Sequence, residues 1–485
     1  MIIAILILIF PLLILTTAFF ASRVRILTRV SAVLMWAQMA VTTCVSIYGF
    51  TRNATVHLRI YGFQLDKTAQ LFLVLTTLVT ASALTQAVAF FDREEAEQQA
   101  NIGSLRNFYA LASLFYLSMI AVITAEDLGY LWIAIEATTL LSAPLVYFHR
   151  SRTALEATWK YLIICSVGIA FALFGTALFY AASQRVPGLS SGSLSLHILL
   201  LNAKLMPTGL LRLGFVFILL GYGTKAGLFP LHSWLPDAHS EAPAPASAML
   251  SGALLNCALI GLWRTAGIMD AAGEASFVRI TLLPMGALTV LAAGLFMLKQ
   301  YDLKRMLAYS SMENVGLIAC AIALRSSSGF ALQAINHSLV KVALFLLAGN
   351  MLQEYGTKSI REIRGMMQVR PSAGFLFLLG IVAVSGTPPF GSFLSEWEIL
   401  YSAADQRQIL VLAAILSALA IAFIGLMVQT AGIVFGEPSK RREGHDAHKH
   451  ATLPIIVPGL LLLAALLLGF MLTPQIMALA QGVKQ

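Results

Sequence analysis

Residues 221–252 read GYGTKAGLFPLHSWLPDAHSEAPAPASAMLSG, and this stretch decides how the whole chain is interpreted. Lys225 stands inside a long apolar stretch, although a charge at mid-membrane costs roughly 2.5–3.5 kcal/mol on insertion scales. Gly221, Gly223, Gly227 and Pro230 surround it, and residues of this kind interrupt a helix. The stretch therefore predicts a broken membrane helix that carries an ionisable group, a device common in transporters. A lysine that extends to the membrane surface from a span end is the alternative.

The composition is that of a polytopic helical membrane protein. Of the 485 residues, 58% are hydrophobic and only 11% are charged, and the mean hydropathy is +0.82. A span needs about 20 apolar residues, and about 14 stretches qualify. They lie near 1–20, 28–50, 69–91, 107–125, 128–149, 159–183, 211–230, 243–267, 279–298, 303–325, 329–353, 372–402, 408–435 and 452–480. We expect one integral membrane domain over 1–485, with a short interfacial helix within 184–210.

The net charge of +9 has a simple explanation in a membrane protein. Lys and Arg are more frequent in the loops after the odd-numbered spans, and such loops face the cytoplasm. The richest segments are Arg23–Arg29, Lys358–Arg370 and Lys440–Lys449. This bias predicts both termini on the outer side of the membrane. Residues 1–20 lack a basic start and a small-residue cleavage site, so we expect a retained first span and no signal peptide.

The cysteine pattern argues against a redox centre carried by this chain. The four cysteines lie far apart within spans, with no CxxC spacing and no Cys/His cluster, which disfavours an iron–sulfur, c-type haem or zinc site. They are more simply small apolar core residues. No GxGxxG or GxxxxGK[ST] element is present, so nucleotide chemistry is disfavoured as well. Any redox reaction would belong to another subunit. The cysteines are Cys44, Cys165, Cys257 and Cys320.

A second broken span is predicted at 381–400, which read IVAVSGTPPFGSFLSEWEIL. Pro388 and Pro389, with Gly386 and Gly391, interrupt the apolar run, and Glu396 follows. Two interrupted spans in two halves of a chain indicate internal repeats.

The repeats are predicted to be inverted. The interval from Lys225 to Glu396 spans five helices, and an odd number reverses orientation. Glu136 precedes the first break by two spans, and Glu313 precedes the second break by two spans. We expect the first repeat over 107–267 and the second over 279–435, each with an acid and a broken helix.

His337 and Lys341 lie four residues apart in the eleventh span, and so they share one helical face. Asn336 and Ser338 flank the histidine. A lone histidine in a span is more often a satisfied core residue. The neighbouring lysine favours a pair that passes protons through intervening water.

Four polar residues follow Lys225 in the same short stretch: His232, Asp237, His239 and Glu241. They are candidates for a capping and hydrogen-bonded cluster at the mouth of an ion path. A purely structural role fits these residue types equally well.

In GTKAGLFPLHSWLPDAHSEAPAPASAMLSG, SLVKVALFLLAG and SGTPPFGSFLSEWEIL, the chain resembles a known family. This family comprises the antiporter-like membrane subunits of respiratory complex I, multisubunit cation/proton antiporters and group 4 membrane-bound hydrogenases. The resemblance covers nearly the whole chain. It implies an all-α protein of about 14 helices, two inverted five-helix repeats formed by helices 4–8 and 9–13, and a central hydrated axis.

The resemblance also implies roles for individual residues. Glu136 resembles the fifth-helix glutamate that pairs with the broken-helix lysine, here Lys225. His337 and Lys341 resemble the linker and the proton carrier of the eleventh helix. Glu396 resembles the acidic residue that ends the path in the twelfth helix of some members.

Partners and location follow from the same resemblance. It implies no cofactor in this chain, and iron–sulfur and nickel or flavin centres in partner subunits. The implied membrane partners are antiporter-like sister subunits and a subunit that connects to a quinone- or hydrogenase-type module. The implied location is the inner membrane of a prokaryotic cell.

Departures from the pattern refine the resemblance. Ser251 and Asn256 stand in the eighth helix where many complex I relatives carry a histidine and a lysine. A proton carrier is therefore missing there, and Asn256 could only hydrogen-bond a water chain. Glu313 replaces a usually neutral residue, which resembles the hydrogenase-4 and formate-hydrogenlyase type.

Two function classes stay open, and a third is disfavoured. The favoured class is a proton-translocating subunit of a redox-driven complex, hydrogenase-like or NADH-dehydrogenase-like. The alternative is a subunit of a multisubunit Na⁺/H⁺ antiporter without redox chemistry, and neighbouring genes would separate the two. The disfavoured third class is a standalone solute carrier of another 14-helix fold. A major-facilitator carrier would show a basic Gly-Asp-Arg motif after its second span, which TRNATVHLRIYGFQLDK does not provide.

Overall fold

The fold, taken from a computed structural model, is described for residues 2–52, 55–60, 62–189, 191–438 and 453–470. Its helices are α1 Ile2–Phe20, α2 Val24–Thr51, α3 Lys67–Ala96, α4 Ile102–Thr124, α5 Leu128–Val146, α6 Arg152–Ser183, α7 Leu196–Asn202, α8 Thr208–Ala226, α9 Trp234–Glu241, α10 Ala244–Met249, α11 Leu255–Ala271, α12 Ala275–Met297, α13 Leu303–Ala323, α14 Ser327–Tyr355, α15 Met366–Val369, α16 Pro371–Val384, α17 Gly391–Asp405, α18 Ile409–Phe435 and α19 Leu453–Phe470. Its strands are β1 Val56–Ile60 and β2 Phe63–Leu65.

Most of the predicted spans are present as helices. Twelve helices of the described residues are long and apolar enough to cross a membrane, and α10 and α11 count among them as one span. Three shorter apolar helices cover Leu196–Leu205, Pro371–Val384 and Pro454–Phe470. The first of these lies within 184–210, where a short helix is expected, and its interfacial position stays a prediction. The basic segment 440–449 and the end of the last predicted span, 471–480, lie outside the described residues, so the count of about 14 stays a prediction.

Both predicted interruptions are present. Helix α8 ends at Ala226, Gly227 adopts φ +83°, and α9 starts at Trp234 after a stretch of turns. Helix α16 ends at Val384, Gly386 adopts φ +64°, and α17 starts at Gly391. A left-handed conformation costs a residue with a side chain more than it costs glycine, so both glycines suit their positions. The predicted span 372–402 is thus two helices.

Short polar side chains start several helices, because the first backbone N–H groups of a helix lack partners within it. Asp127 accepts from Gly129 N at 2.7 Å before α5, and Asp302 accepts from Arg305 N at 2.9 Å before α13. Asn101 forms a reciprocal capping pair with Ser104 at the start of α4. These caps fix where the helices enter the bundle.

The small hairpin of β1 and β2 was not predicted from the sequence. Its strands pair antiparallel, with Val56 opposite Leu65 and His57 opposite Gln64. The ring of Phe63 stacks on Tyr130 of α5 at 5.4 Å between centroids. The hairpin thus lies against the start of α5.

The middle of the bundle is formed by α10–α11, α13 and α14. The most apolar stretch of Ala244–Ala271 is 100% buried, and those of Leu303–Ala323 and Ser327–Tyr355 are each 94% buried. The corresponding share is 28% for α1 and for α18. Polar side chains on the three central elements therefore face protein and not lipid.

Candidate functional site

Lys225 lies in the last turn of α8 and is fully buried. Its Nζ donates to Thr139 Oγ1 at 2.8 Å and to Tyr161 Oη at 2.7 Å. The same ammonium lies 4.7 Å from the centroid of the Tyr161 ring, a cation–π distance. This burial is inconsistent with a side chain that extends to the membrane surface.

The groups that hold Lys225 come from ordinary positions of α5 and α6. Tyr161 Oη also pairs with Ser142 Oγ at 2.6 Å, and its ring packs on Trp234 at 4.7 Å between centroids. None of these residues was predicted from the sequence. The one available signal was spacing, because Thr139 lies three residues after Glu136 and so shares its face of α5.

Glu136 does not pair directly with Lys225 in this structure. Its Oε1 accepts from Ser166 Oγ at 2.8 Å, while its buried Oε2 has no hydrogen-bond partner among the described residues. No described ion pair within 4.0 Å joins the two side chains. Thr139, which binds the ammonium, lies one turn along α5 from Glu136. The predicted pairing is absent in this arrangement, and the roles of the two residues stay predictions.

The four polar residues after Lys225 do not form one hydrogen-bonded cluster. Asp237 binds Lys160 Nζ at 3.2 Å and also pairs with Arg305, at the end of the bundle. Glu241 accepts from Lys358 Nζ at 2.8 Å and from Thr153 Oγ1 at 3.0 Å at the same end. The predicted single cluster is therefore wrong for these two carboxylates, which join separate helix ends.

The two histidines of that stretch point into the protein. His239 is fully buried and stacks on Phe345 at 5.0 Å, and neither ring nitrogen has a partner in the described part of the chain. His232 stacks between Phe229 and Phe296, at 5.5 and 5.4 Å. Pro230 directly follows Phe229 in the turn that breaks the helix. Unpartnered buried nitrogens of His239 suit a place where water enters.

Lys304 is a further buried cation that the sequence analysis did not single out. It lies in the first turn of α13 with 3% exposure, and its Nζ donates to the backbone oxygens of Ala242 and Ser240. A cation at the carboxyl end of a helix is favourable, here the end of α9. Asp302 accepts from Ser240 Oγ at 2.6 Å beside it. Together they fasten the second half of the first broken helix to α13.

Residues 250–254 form a π-helical segment between α10 and α11, at the centre of the bundle. A π-bulge changes the hydrogen-bond register of a helix and leaves backbone oxygens available to other groups. The Ser251 oxygen lies 3.2 Å from His337 Nε2, and the Gly252 oxygen accepts from Ser338 Oγ at 2.6 Å. Asn256 Nδ2 donates to Ser338 Oγ at 2.9 Å. The two halves thus meet through α11 and α14.

Lys341 repeats the arrangement of Lys225 in the second half. It is fully buried, and its Nζ donates to Ser310 Oγ at 2.5 Å and to the Leu307 oxygen at 3.0 Å. Ser310 lies three residues before Glu313 on α13, and Glu313 is only 2% exposed. No described ion pair within 4.0 Å joins Lys341 to Glu313, and Glu313 Oε2 has no hydrogen-bond partner among the described residues.

A hydrogen-bonded chain of neutral side chains runs from α13 through α14 to α17. Asn314 Oδ1 accepts from Gln333 Nε2 at 2.8 Å, and Gln333 Oε1 accepts from Ser395 Oγ at 2.5 Å. Asn336 Nδ2 donates to the same serine at 3.4 Å. Glu396 follows that serine directly.

The carboxylate of Glu396 lies against the second break. The residue is 7% exposed, and its carboxylate occupies the place that a Cβ on Gly386 would take. Pro388 and Pro389 lie in the same break, before α17 begins. The break therefore brings the backbone and this acid together.

Among the described residues, no three His, Cys, Asp or Glu side chains come together in a group that could hold a metal ion. The four cysteines are free thiols, and Cys165, Cys257 and Cys320 are buried.

A family model described as NADH:quinone oxidoreductase/Mrp antiporter, TM, matches residues 125–422, more than half of the chain. The chain belongs to this family. The match covers the site residues from Glu136 to Glu396. It also agrees with the resemblance that the sequence carries and with an all-α membrane fold. The boundaries of the two repeats stay predictions.

Individual relatives agree with this membership. The chain is 36% identical over 389 residues to the Hydrogenase-4 component F homolog of Methylacidiphilum infernorum (isolate V4), covering 78% of this chain and 81% of that relative. Two solved structures share its fold, one of the membrane-bound sulfane sulfur reductase (MBS), an archaeal respiratory membrane complex, and one of the Mrp complex from Dietzia sp. DQ12-45-1b. The first has a TM-score of 0.84 at 24% identity and covers 99% of this chain and 96% of that chain. The second has a TM-score of 0.83 at 20% identity and covers 100% and 97%.

Proposed function

We propose that this chain is a proton-translocating membrane subunit of a redox-driven complex, of hydrogenase or NADH-dehydrogenase type. One observation carries the proposal: each half holds a buried lysine ammonium on a hydroxyl that lies one helical turn from a glutamate. Lys225 binds Thr139 beside Glu136, and Lys341 binds Ser310 beside Glu313. Ionisable groups buried in a membrane are costly to keep and mark ion or proton paths.

The first step of the proposed mechanism is a change in the separation of Glu136 and Lys225. The attraction between two opposite charges falls with distance, so moving the carboxylate away favours loss of the lysine proton. The hydroxyls of Thr139 and Tyr161 hold the ammonium when the carboxylate is distant. A conformational or redox event in a neighbouring subunit would supply the movement.

The second step carries the proton across the centre. It would pass along water from Lys225 toward His337 and Lys341, with the π-helical segment and Asn256 as hydrogen-bonding groups along the way. The amide of Asn256 is not ionisable and cannot carry a proton, so its role is to orient water. Its Oδ1 has no hydrogen-bond partner among the described residues. That free acceptor supports a position for a water molecule.

The last step is exchange with one side of the membrane through Glu396. The amides of Asn314, Gln333 and Asn336 lie between Glu313 and this acid, and neutral amides do not carry protons as carboxylates or amines do. We therefore assign proton exchange with the membrane side to Glu396. The chain of amides is assigned as a barrier to protons, which can be crossed only along water. His232, His239, Asp237 and Glu241 follow the first break in the chain, and we assign proton entry to that region.

The partner subunits and the location belong to the same proposal. We assign iron–sulfur and nickel or flavin centres to partner subunits, together with antiporter-like sisters and a connecting subunit. The support is the identity with a hydrogenase-4 component F homolog. We assign the chain to a prokaryotic inner membrane with both termini on the outer side, since the lysine and arginine bias of its loops favours that orientation.

A second candidate function has its own support. The fold of the Mrp complex chain matches at a TM-score of 0.83, which favours a subunit of a multisubunit Na⁺/H⁺ antiporter without redox chemistry. The buried lysines and acids suit either function, because both need a path for protons.

One experiment separates the two functions. The tagged chain is purified from its native membrane, and mass spectrometry identifies the proteins that accompany it. Partners that carry iron–sulfur and nickel or flavin centres are the expected result. Turnover of that complex in proteoliposomes should then move protons even when K⁺ replaces Na⁺ in the buffer. Small hydrophobic partners alone, with pH changes that need Na⁺, would establish the antiporter function. A chain that purifies alone would refute both.

A further inference from the structure

A cleft of about 880 Å³ opens at the end of the bundle, between the end of α1, the start of α4 and the end of α5. It lies away from the lysine axis, and the proposed function uses none of the residues that line it. Its volume is near the upper end of pockets that hold a drug-sized ligand, about 300–1,000 Å³. Three membrane-spanning helices end at it, so its mouth lies where the apolar core of the membrane meets the headgroups.

The mouth of the cleft is cationic. Arg106 and Arg150 both line it, and none of the described residues that line it is acidic. Arg106 uses Nε and Nη2 to bind the Ala21 oxygen, at 2.8 and 2.5 Å, which leaves Nη1 for another acceptor. Arg150 is exposed on the turn that follows α5. Two residues beyond Ala21, exposed Arg23 adds positive charge on the loop that Arg106 holds.

The interior of the cleft is apolar. Leu111 and Leu114 line it on α4, and Phe19 lines it from α1 with 66% of its surface exposed. Leu114 lies 12 residues after the first residue of α4, a distance of about 18 Å along the helix at 1.5 Å per residue. The cleft therefore runs from the headgroup level well into the apolar core of the membrane.

We propose that this cleft binds an anionic phospholipid, with the phosphodiester headgroup between Arg106 and Arg150 and the acyl chains on Leu111 and Leu114. Arginine binds phosphate oxygens with paired N–H donors, and basic pockets between membrane helices on the cytoplasmic side bind anionic headgroups. Charge complementarity at the mouth selects the anionic headgroup, and the apolar depth selects a lipid over free phosphate. Asn107, exposed at the mouth, adds an amide donor.

Arg150→Asn tests the headgroup contact. Arg150 adopts φ +50°, a conformation that asparagine tolerates well, and no side-chain hydrogen bond or ion pair of Arg150 is described. Arg407→Asn is the matched control, because Arg407 is also exposed, has φ 56°, and lies after α17 at the other end of the bundle. The full chain, purified with its complex and delipidated, is titrated with phosphatidylglycerol or with phosphatidylcholine of the same acyl chains, and bound lipid is counted by native mass spectrometry.

We expect Arg150→Asn to weaken phosphatidylglycerol binding about fivefold, the equivalent of one cation near the membrane surface. Arg407→Asn should leave it unchanged. Leu114→Trp fills the cleft from the apolar side and should reduce binding at least as much. Excess inorganic phosphate should not displace the lipid.

Three outcomes would overturn the proposal. The first is equal affinity for phosphatidylglycerol and phosphatidylcholine, and the second is equal loss in Arg150→Asn and Arg407→Asn. The third is a photo-crosslinker at position 114 that captures a protein subunit and no lipid. None of these outcomes bears on proton translocation, so the proposed function stands or falls separately.

Discussion

Each half of the molecule contains one buried lysine ammonium, but the groups that bind it differ between the halves. In the first half, the ammonium of Lys225 is held by two side-chain hydroxyls and lies over the ring of Tyr161, which in turn packs on Trp234. In the second half, Lys341 is held by one serine hydroxyl and one backbone oxygen. A buried ammonium needs several acceptors, and the halves supply them from unrelated residues.

The acids differ in exposure as well. Glu136 is half-buried near the outside of the bundle, whereas Glu313 is 2% exposed and lies inside it. Only the first acid is placed where a neighbouring subunit could move it. We therefore propose that the first half receives the signal from a partner subunit and that the second half holds the proton within the chain.

The largest expected effect is the loss of either lysine. Lys225→Met and Lys341→Met each remove the lysine amine assigned to one half of the axis, so we expect proton translocation to fall about 100-fold or more. Lys299→Met is the matched control, since Lys299 is exposed between α12 and α13. Translocation is measured by dye quenching in proteoliposomes that contain the complex. Normal translocation in Lys225→Met or Lys341→Met would contradict the proposed role of that lysine in proton transfer.

The sequence predicts the two buried lysines and both helix breaks, but not the groups that surround them. Lys225 and Lys341 are found because a charge in an apolar run is costly, and both breaks are found because Gly and Pro interrupt helices. Thr139, Tyr161 and Ser310 could not be found this way. They are common residues whose importance comes only from which helix packs beside them.

Two further features also escape the sequence for physical reasons. The π-helical segment at 250–254 is a local shift of register, which hydrophobic periodicity does not report. Lys304 resembles an ordinary lysine at a span end, because only the folded chain places the oxygens of Ser240 and Ala242 around it. Cross-chain contacts of this kind need the tertiary structure.

The exposure of the two acids gives the second prediction. Glu136→Gln should uncouple the complex, with redox turnover retained and proton translocation about tenfold lower, because the charge that responds to the partner is gone. Glu313→Gln should slow both together, since it acts inside the path. Parallel assays of electron transfer and translocation separate the two patterns. Glu156→Gln, which removes an exposed partner of Lys160, is the control. Identical behaviour of Glu136→Gln and Glu313→Gln would remove the distinction between the halves.

The hydroxyls that hold the lysines give a smaller effect. Tyr161→Phe keeps the ring but removes one of two hydroxyl bonds to Lys225. We expect translocation about fivefold lower, since a net hydrogen-bond contribution of about 1 kcal/mol corresponds to a factor of about five. Ser310→Ala should cost more, because the other described contact of Lys341 is a single backbone oxygen. Tyr401→Phe, on an exposed ring of α17, should have no effect. Initial rates of translocation are measured in the same proteoliposomes. A larger loss in Tyr161→Phe than in Ser310→Ala would contradict the expectation that Lys341 depends more on its hydroxyl partner than Lys225 does.

The two breaks give the smallest and most specific comparison. Gly227, Gly273 and Gly386 all have positive φ, of +83°, +84° and +64°, so alanine at each should lower stability by about 1–2 kcal/mol through the backbone alone. A Cβ at Gly273 meets no atom within 4 Å, which makes Gly273→Ala the control for that backbone cost. At Gly227 it meets a flexible methyl group of Leu235 at 2.7 Å, whereas at Gly386 it displaces the carboxylate of Glu396.

Thermal unfolding of the purified complex should therefore show similar losses for Gly227→Ala and Gly273→Ala. Gly386→Ala alone should also reduce proton translocation, by about threefold, because the acid that exchanges protons is moved from its place at the break. If Gly386→Ala translocates as well as Gly273→Ala at equal stability, the contact between the second break and Glu396 has no part in proton exchange. The two breaks would then differ in sequence only, and the path would have to leave the second half by another group.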